Sequence, residues 1–239
     1  MNRLLFGAVT AAATAAGALG SRRAASLTKP LPMLLVAGAA ARGWRDRSVL
    51  DNTLLATAIG TSMIGDRAML LEEFSPVESD DEVRRRPVSA PLTAKDSRLA
   101  WGATFFAGAQ LSYCALMARR GARIRGRSLA PRMAALGESA AIVAYHRPRL
   151  LPVLGPYGNT LATMSALAAD LDHRGDPSGR QLRIGGLLFL ASDLTILNRR
   201  HLIDHPTLRI AGEVWVLASY FTAQALLIDG LSKETRPGR

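Results

Sequence analysis

Long stretches without any charged residue are the feature that most constrains how this chain can fold. Residues 4–21, 99–118 and 150–169 contain no Lys, Arg, Asp or Glu. Each run approaches the roughly 20 residues that a helix needs to cross a bilayer. A surface helix of a soluble protein would instead show charged side chains every three or four residues. The pattern therefore predicts an integral membrane protein.

Eight apolar segments follow one another, and we expect each to form a helix. They lie near residues 4–20, 28–42, 50–66, 98–118, 129–146, 149–169, 183–198 and 207–230. The predicted fold class is all-α, a polytopic transmembrane bundle of about eight helices that forms a single integral membrane domain over residues 1–239. Gly185 and Gly186 are expected at close helix contacts, because small residues permit close packing in lipid.

Two segments need separate comment. The connection 67–97 is densely charged and contains three prolines, which predicts an ordered start followed by a flexible loop. The first segment has the basic start and Ala-rich middle of a signal peptide, but its length and the Arg-Arg pair that follows favour a retained first helix.

The net charge of +11 is better explained by a membrane than by nucleic acid. The arginines lie in short loops between apolar runs, as in MARRGARIRGRSLAPR at 117–132, and such loops stay on the cytoplasmic side near anionic headgroups. We expect membrane lipids as partners, no nucleic acid, and a multi-pass protein of the bacterial inner membrane with both termini cytoplasmic. The single cysteine, Cys114, excludes a disulfide within the chain.

Ionisable residues inside the apolar segments are the main guide to function, because a charge in lipid is costly. Asp66 ends the third run, and Asp193 lies about two-thirds along the seventh. If the helices alternate in direction, Lys29, Asp66 and Asp193 converge in one half of the membrane. Structural explanations remain open: Lys29 as an interfacial anchor and Asp66 as a cap or a partner of Arg67. Asp193 is the hardest of the three to explain in this way.

Other polar groups in the helices have a structural explanation as well as a functional one. Asp51, Glu138 and Glu213 are expected to be structural, because an arginine lies near each of them along the chain. The remaining polar side chains suit hydrogen bonds between helices or the lining of a site; they are Gln110 with Tyr113, Tyr157, and Tyr220 with Gln224.

Sequence signatures of other chemistries are weak. The segment HLIDH at 201–205 places two histidines four residues apart, but it lacks the glutamate of a zinc protease, and Pro206 follows at once. The chain has no Gly-rich phosphate loop and no G-x-S-x-G elbow. We therefore expect neither a metal nor a cofactor.

Five short motifs together resemble the YhhN family of eight-helix membrane proteins, whose animal members are lysoplasmalogenases. They are TKPLPMLL at 28–35, IGD at 64–66, WGATFFAGAQLSY at 101–113, GGLLFLASD at 185–193 and YFTAQALL at 220–227. The resemblance extends over about residues 28–228. Each motif alone is short and mostly apolar, so the resemblance rests on their combination.

The resemblance implies an activity and a set of site residues. The reaction would be hydrolysis of the vinyl ether of a lysoplasmalogen-like lysophospholipid or ether lipid, with Asp66 and Asp193 as the catalytic groups. Proton delivery to the vinyl carbon creates an oxocarbenium-like cation, and two carboxyl groups suit that chemistry as they do in glycoside hydrolysis. The other implied site residues, which would bind substrate, are Lys29, Gln110, Tyr113, Tyr157, Ser192, Tyr220 and Gln224.

One residue departs from the family's pattern. The family usually has a histidine three residues before the tyrosine of the fourth helix, and this chain has Gln110 there. Glutamine forms hydrogen bonds but does not titrate near neutrality. Two alternatives to a hydrolase therefore stay open: a proton-coupled small-molecule transporter and a non-catalytic lipid-binding membrane protein.

Overall fold

The computed structural model describes residues 2–19, 21–76, 91–202 and 205–233, but not the side chains of residues 197–202 and 206. Its helices are α1 (Arg3–Ala18), α2 (Arg22–Thr28), α3 (Pro30–Ala41), α4 (Val49–Glu73), α5 (Ala94–Arg119), α6 (Gly126–His146), α7 (Leu151–His173), α8 (Gly179–Leu202) and α9 (Pro206–Ser232). No strand occurs in the part of the chain that is described. The predicted all-α class is confirmed.

The observed helices extend past the apolar runs that predicted them. α2 and α3 are separated by Lys29 alone, so together they take the place of the helix predicted at 28–42. α4 continues to Glu73, beyond the predicted end at residue 66, because Leu70 and Glu72 are buried against neighbouring helices. The flexible part predicted for the connection 67–97 falls largely on residues 77–90, which lie outside the described ranges.

The exterior of the bundle is apolar. Among the described residues three helical stretches are long and apolar enough to cross a membrane: Arg22–Ala41, Val49–Glu73 and Thr207–Ser232. Large apolar side chains such as Trp101 and Leu111 are exposed on the outside. Apolar surface on this scale is typical of contact with lipid, so the chain is a membrane protein.

Six helices form a closed ring. α4 packs on α5, α5 on α7, α7 on α8, α8 on α9, and the ring closes through α3 between α9 and α4. α1 covers α9 and α3 from outside, and α6 covers α7 and α8. The ring places residues from distant parts of the sequence around one interior space.

α8 is held close to both of its neighbours by the glycine pair, as expected. A Cβ atom on Gly185 would lie 3.0 Å from Cγ of Leu227 on α9. A Cβ atom on Gly186 would lie 3.1 Å from Cα of Ser165 on α7. Any larger side chain at either position would therefore push two helices apart.

Arginines bind the open carbonyls at the end of α9. Arg47 donates from Nη1 to the carbonyl oxygen of Ser232 at 3.1 Å, and Arg120 donates from Nη2 to that of Leu231 at 2.7 Å. These contacts satisfy carbonyl groups that have no partner within the helix. These contacts also place the arginine-rich connections at one end of the bundle. Glu73, at which α4 terminates beside the start of α9, lies at the opposite end.

Candidate functional site

A cavity of about 560 Å³ lies within the helix ring and extends to α6. Both Asp66 of α4 and Asp193 of α8 line it, as do Lys29, Tyr157, Ser192 and Tyr220. The two aspartates are far apart in sequence but face the same space because α4 and α8 stand on opposite sides of the ring. The convergence of Lys29, Asp66 and Asp193 expected from the sequence is therefore observed.

The two aspartates lie at similar depth below the same end of the bundle. Asp66 is seven residues before the end of α4 at Glu73, and Asp193 is nine residues before the end of α8 at Leu202. With a helical rise of about 1.5 Å per residue, these separations correspond to depths of about 10 and 14 Å. Both carboxyl groups are thus well inside the bundle.

The cavity occupies only one half of the bundle. Its lining residues come from the last part of α4, the first part of α5 and the first half of α9, all of which lie toward the same end. The opposite half is filled by buried side chains, among them Leu116, Leu161, Met164 and Leu227. The interior space therefore ends below the aspartates.

Asp193 is bound by a tyrosine from the neighbouring helix. The hydroxyl of Tyr157 on α7 donates to Oδ2 of Asp193. Gln110 of α5 lies behind this pair: it interacts with the Tyr157 hydroxyl, and its Oε1 accepts from Thr160. Gln110 is fully buried and is not part of the cavity lining.

Asp66 has a similar arrangement built from different helices. The hydroxyl of Tyr220 on α9 lies within hydrogen-bonding range of the Asp66 carboxyl. Nε2 of Gln224 donates to the Tyr220 oxygen at 3.0 Å and to Oγ of Ser62 at 2.9 Å. Tyr113 donates to Oε1 of Gln224 at 2.5 Å. Each aspartate is thus faced by a tyrosine that a buried glutamine contacts from behind.

Asp66 keeps one carboxylate oxygen that has no hydrogen-bond partner among the described residues. Within the described part of the chain Oδ2 of Asp66 is buried and accepts no hydrogen bond. A buried carboxylate oxygen normally has a hydrogen-bond donor. Asp66 also lines the cavity, so this oxygen lies close to the space that a water molecule or a ligand would occupy.

Aromatic rings close the space around the aspartates. Phe106 and Phe189 each meet the ring of Tyr220 edge-on, with centroids 5.7 and 5.6 Å apart respectively. Gly65 allows this packing, because a Cβ atom there would lie 3.0 Å from the Phe106 ring. The side of the cavity formed by α5, α6 and α7 is mostly aliphatic, with Leu99, Leu136, Val143, Leu151 and Leu154.

Charged side chains lie together at the end of the cavity near the helix termini. We call these residues the charged ring: Lys29, Glu72, Glu73, Lys95, Arg209 and Glu213. Nζ of Lys29 is 2.6 Å from Oε2 of Glu73 and 4.0 Å from Oε1 of Glu213. Nζ of Lys95 is 3.8 Å from Oε1 of Glu72. The site therefore combines a charged end, an aliphatic wall and two deep carboxyl groups.

The structure separates the predicted site residues into two layers. Lys29, Asp66 and Asp193 line the cavity together with Tyr157, Ser192 and Tyr220. Gln110, Tyr113 and Gln224 are each fully buried behind this lining. Gln224 donates to the lining Tyr220 and accepts from Tyr113. Ser192 lines the cavity, and its hydroxyl donates to the carbonyl oxygen of Val216 at 3.1 Å, which ties α8 to α9.

Sequence reasoning missed most of the charged ring. Glu213 was expected to be structural, yet it lines the cavity close to Lys29. Glu72, Glu73 and Lys95 belong to the charged segment that was interpreted as a connection. Their closeness to the ends of two apolar runs is the one signal that would have placed them at the mouth of a bundle.

The remaining sequence expectations fall elsewhere. Asp51 pairs with Arg119, with 2.7 Å between Oδ1 and Nε, at the far end of the bundle. Within the described residues no three His, Cys, Asp or Glu side chains gather as metal ligands. The histidine segment at 201–205 lies partly outside the described ranges.

Comparison with known proteins identifies one relationship. The model of the YhhN family matches residues 24–231, which is most of the chain. No curated protein and no solved structure matches this chain. The match covers every residue of the cavity and of the layer behind it. The chain belongs to the YhhN family.

Proposed function

We propose that the protein is a membrane-embedded hydrolase that cleaves the vinyl ether bond of lysoplasmalogen-like lysophospholipids. The products are a fatty aldehyde and a glycerophospho-alcohol. The observation that carries the proposal is the pair Asp66 and Asp193 on the wall of one cavity that ends inside the bundle. We also propose the bacterial inner membrane as its location, with both termini cytoplasmic.

The first chemical step requires an acid. We assign it to Asp193, which transfers its proton to the vinyl carbon β to the ether oxygen. The vinyl π electrons form the new C–H bond, and the adjacent ether carbon becomes an oxocarbenium-like cation. The hydrogen bond from Tyr157 to Oδ2 stabilises the Asp193 carboxylate that remains.

The second step requires a negative charge and a water molecule. We assign both tasks to Asp66, whose Oδ2 has no hydrogen-bond partner among the described residues and so keeps the capacity to accept a hydrogen bond from water. Lys29 places a positive charge on the wall of the same cavity. Water adds to the cation and passes a proton to the Asp66 carboxylate. The hemiacetal then collapses: the bond from carbon to the glycerol oxygen breaks, Asp66 gives its proton to that oxygen, and the hydroxyl proton of the hemiacetal passes to Asp193, which restores both carboxyl groups. We assign the roles in this order because Oδ2 of Asp193 is held by Tyr157, whereas Oδ2 of Asp66 has no hydrogen-bond partner in the described part of the chain.

The shape of the cavity supports a hydrolase over a transporter. A transporter needs access to the site from both sides of the membrane in turn. The half of the bundle below the aspartates is instead filled by buried side chains such as Leu161 and Met164. A closed site with an aliphatic wall suits a lipid chain that enters, reacts and leaves at one end.

The test is direct. The protein is purified in detergent, incubated with lysoplasmalogen and assayed for fatty aldehyde, beside Asp66→Asn and Asp193→Asn. Asp229→Asn is the matched control, because that aspartate lies at the far end of α9 and pairs with Lys233. We expect release by the wild type and the control, and a loss of about 100-fold or more in each site variant. Absence of aldehyde with the wild type would overturn the activity, and full rates in both variants would overturn the site.

A further inference from the structure

Arg132 of α6 is a buried cation whose hydrogen-bond acceptors are both neutral. The residue is 9 % exposed. Nε donates to Oγ of Ser165 on α7 at 2.8 Å, and Nη1 donates to the carbonyl oxygen of Ser128. No carboxylate in the described part of the chain forms an ion pair with Arg132. A charged side chain buried this far normally pairs with an opposite charge, because burial removes the water that would solvate it.

Arg183 of α8 brings a second cation to the same place. α6 packs on α8, and the two guanidinium groups lie near enough to repel each other. Nε of Arg183 is 2.8 Å from Oδ2 of Asp172, but the pair is too poorly aligned for a hydrogen bond, and this nitrogen has no hydrogen-bond partner among the described residues. Two positive charges and one negative charge therefore meet where α6 contacts α8.

The neighbouring carboxylate at the end of α7 is already paired. Asp170 accepts from the backbone N–H of Arg123 at 2.8 Å and forms an ion pair with Arg125. α6 also begins without an acidic residue in its first turn and without a side chain that caps it, although the N-terminus of a helix carries a partial positive charge. An anionic ligand would therefore offset both the charge of Arg132 and that of the helix end.

Arg132 differs from an arginine that only anchors a helix at the membrane surface. Anchoring arginines extend into water and headgroups, and Arg127 and Arg180 are exposed in this way. Arg132 instead reaches Ser165, whose Oγ would lie 3.4 Å from a Cβ atom on Gly186 of α8, so it lies where three helices meet. A neutral amide could make the same hydrogen bond to Ser165, so that contact does not explain the charge.

The position of the two guanidinium groups along their helices fits the phosphate layer of a bilayer. Nη1 of Arg132 reaches the carbonyl of Ser128, the third residue of α6, and Arg183 is the fifth residue of α8. At a rise of about 1.5 Å per residue, both lie within about 6 Å of the arginine-rich end of the helices. Each polar layer of a bilayer is about 5–7 Å thick. Nη2 of Arg132 forms no hydrogen bond to a described residue and is not enclosed, so an anion can reach it.

The outer face of α8 changes from positive to apolar with depth. Four residues at spacings of three and four share this face; they are Arg180, Arg183, Ile184 and Leu187. Ile184 and Leu187 are large apolar side chains exposed on the outside. A lipid held by its phosphate at the arginines can place an acyl chain along them, whereas a soluble phosphate gains nothing from them. The face therefore favours a membrane lipid as the source of the anion.

We propose that the arginine-rich end of the bundle carries a binding site for an anionic phospholipid, with the lipid phosphate on Arg132 and Arg183. The acyl chains lie against Ile184 and Leu187. A zwitterionic lipid would bring an ammonium group to a place that already has an excess of positive charge, so the ligand is one with net negative charge. The site lies at the opposite end of the bundle from the charged ring, and the inference does not depend on the proposed hydrolysis.

The first experiment measures lipid binding by the unaltered protein. The protein is purified in detergent, delipidated and titrated with dioctanoyl phosphatidylglycerol, and native mass spectrometry gives the fraction bound. Dioctanoyl phosphatidylcholine has the same tails without the net charge. We expect phosphatidylglycerol to bind about tenfold more tightly, as the gain of one charge-assisted contact predicts. Equal binding of the two lipids would overturn the proposal.

A soluble competitor separates a lipid site from a site for free phosphate. Glycerol phosphate carries the charge of the lipid without its tails. We expect glycerol phosphate at the same concentration to leave the bound phosphatidylglycerol in place. Displacement at equal concentration would identify a soluble anion as the ligand and overturn the assignment to a lipid.

Variants connect the preference to the two arginines. Arg132→Gln and Arg183→Gln should each weaken binding of phosphatidylglycerol about tenfold and leave binding of phosphatidylcholine unchanged. Arg183 is partly exposed, so Arg183→Gln tests the site even if the buried Arg132→Gln does not fold. Unchanged affinity in Arg183→Gln would overturn the site.

Arg119→Gln is the matched control. It removes the same charge at the same end of the bundle, but Arg119 lies on α5 and pairs with Asp51. We expect its affinity for phosphatidylglycerol to stay within about twofold of the unaltered protein. A loss equal to that of Arg183→Gln would mean that the arginine-rich surface attracts anionic lipids as a whole, and it would overturn a defined site between α6 and α8.

Discussion

The hydroxyl of Tyr157 donates a hydrogen bond to Oδ2 of Asp193 across the interface between α7 and α8. The donor fixes which oxygen of the carboxyl group stays bound to the protein. Oδ1 is therefore the oxygen that carries the transferable proton when Asp193 acts as an acid. The arrangement couples the packing of two helices to the orientation of one functional group.

The first prediction concerns Tyr157→Phe. Loss of the hydroxyl removes the donor that stabilises the carboxylate after proton transfer, so aldehyde release should fall about 10- to 100-fold. The KM for lysoplasmalogen should change little, because the hydroxyl is occupied by Asp193. Tyr145→Phe is the control, since that ring is exposed on α6. An unchanged kcat in Tyr157→Phe would contradict a role for the hydroxyl in catalysis.

The second prediction concerns the residue that departs from the family's pattern. Gln110 is fully buried and stands behind Tyr157, away from the cavity. We therefore expect that the proposed activity does not require a titratable group at this position, so Gln110→His should retain aldehyde release within about threefold. Gln110→Leu should lower stability by about 0.5–1.5 kcal/mol, because Thr160 loses the hydrogen bond that it donates to Oε1 of Gln110.

The measurement for this position pairs aldehyde release with thermal unfolding in detergent. A rise of 100-fold or more in Gln110→His would mean that a proton carrier is missing from the natural chain. If Gln110→Leu changes neither aldehyde release nor thermal stability, the hydrogen bonding of Gln110 contributes to neither.

The third prediction concerns Gln224, which joins three helices through hydrogen bonds to Tyr113, Ser62 and Tyr220. Gln224→Leu leaves three buried polar groups without this partner. The expected loss is about 2–4 kcal/mol of unfolding free energy, because unsatisfied buried groups cost about 1–3 kcal/mol each and neighbouring losses are not additive.

Ser62→Ala is the milder comparison for Gln224→Leu, since it removes one of those contacts and should cost about 1 kcal/mol. Chemical denaturation in detergent gives both values. Equal stability of Gln224→Leu and the wild type would show that the network contributes nothing to the fold.

Much of this architecture could be predicted from the sequence, and the reason is physical. Uncharged runs of bilayer length indicate helices, and alternation of their direction brings Asp66 and Asp193 to the same half of the bundle. Helical spacing also placed Tyr220 and Gln224 on one face. Helical spacing could not show that Tyr220 lines the cavity while Gln224 lies behind it. The spacing within one helix does not indicate how the neighbouring helices pack against it.

The charged ring could not be predicted from the sequence, for a different reason. Glu72, Glu73 and Lys95 have the composition of a solvated connection, and only tertiary packing buries them. Glu72 is 1 % exposed because α4 continues beyond its apolar run and meets the start of α5. A hydropathy pattern indicates whether a side chain usually lies in water or in an apolar environment. Functional sites are places where tertiary packing overrides that preference and buries charged residues.

The last prediction concerns the glycines that hold α8 in place. A methyl group on Gly186 would lie 3.1 Å from a backbone atom of α7, so Gly186→Ala must push α8 away from α7. We expect a loss of about 1–3 kcal/mol in unfolding free energy, the usual cost of overpacking, together with reduced aldehyde release because Asp193 moves with α8. Gly60→Ala is the matched control on α4, where nothing lies within 4 Å of the added methyl group. That change should instead stabilise the protein by about 0.5–1 kcal/mol, since alanine is the better helix former. Thermal and chemical unfolding in detergent measure the change in unfolding free energy for both variants, which we expect to have opposite signs. Stabilisation by both Gly186→Ala and Gly60→Ala would show that α7 and α8 are not in close contact at Gly186.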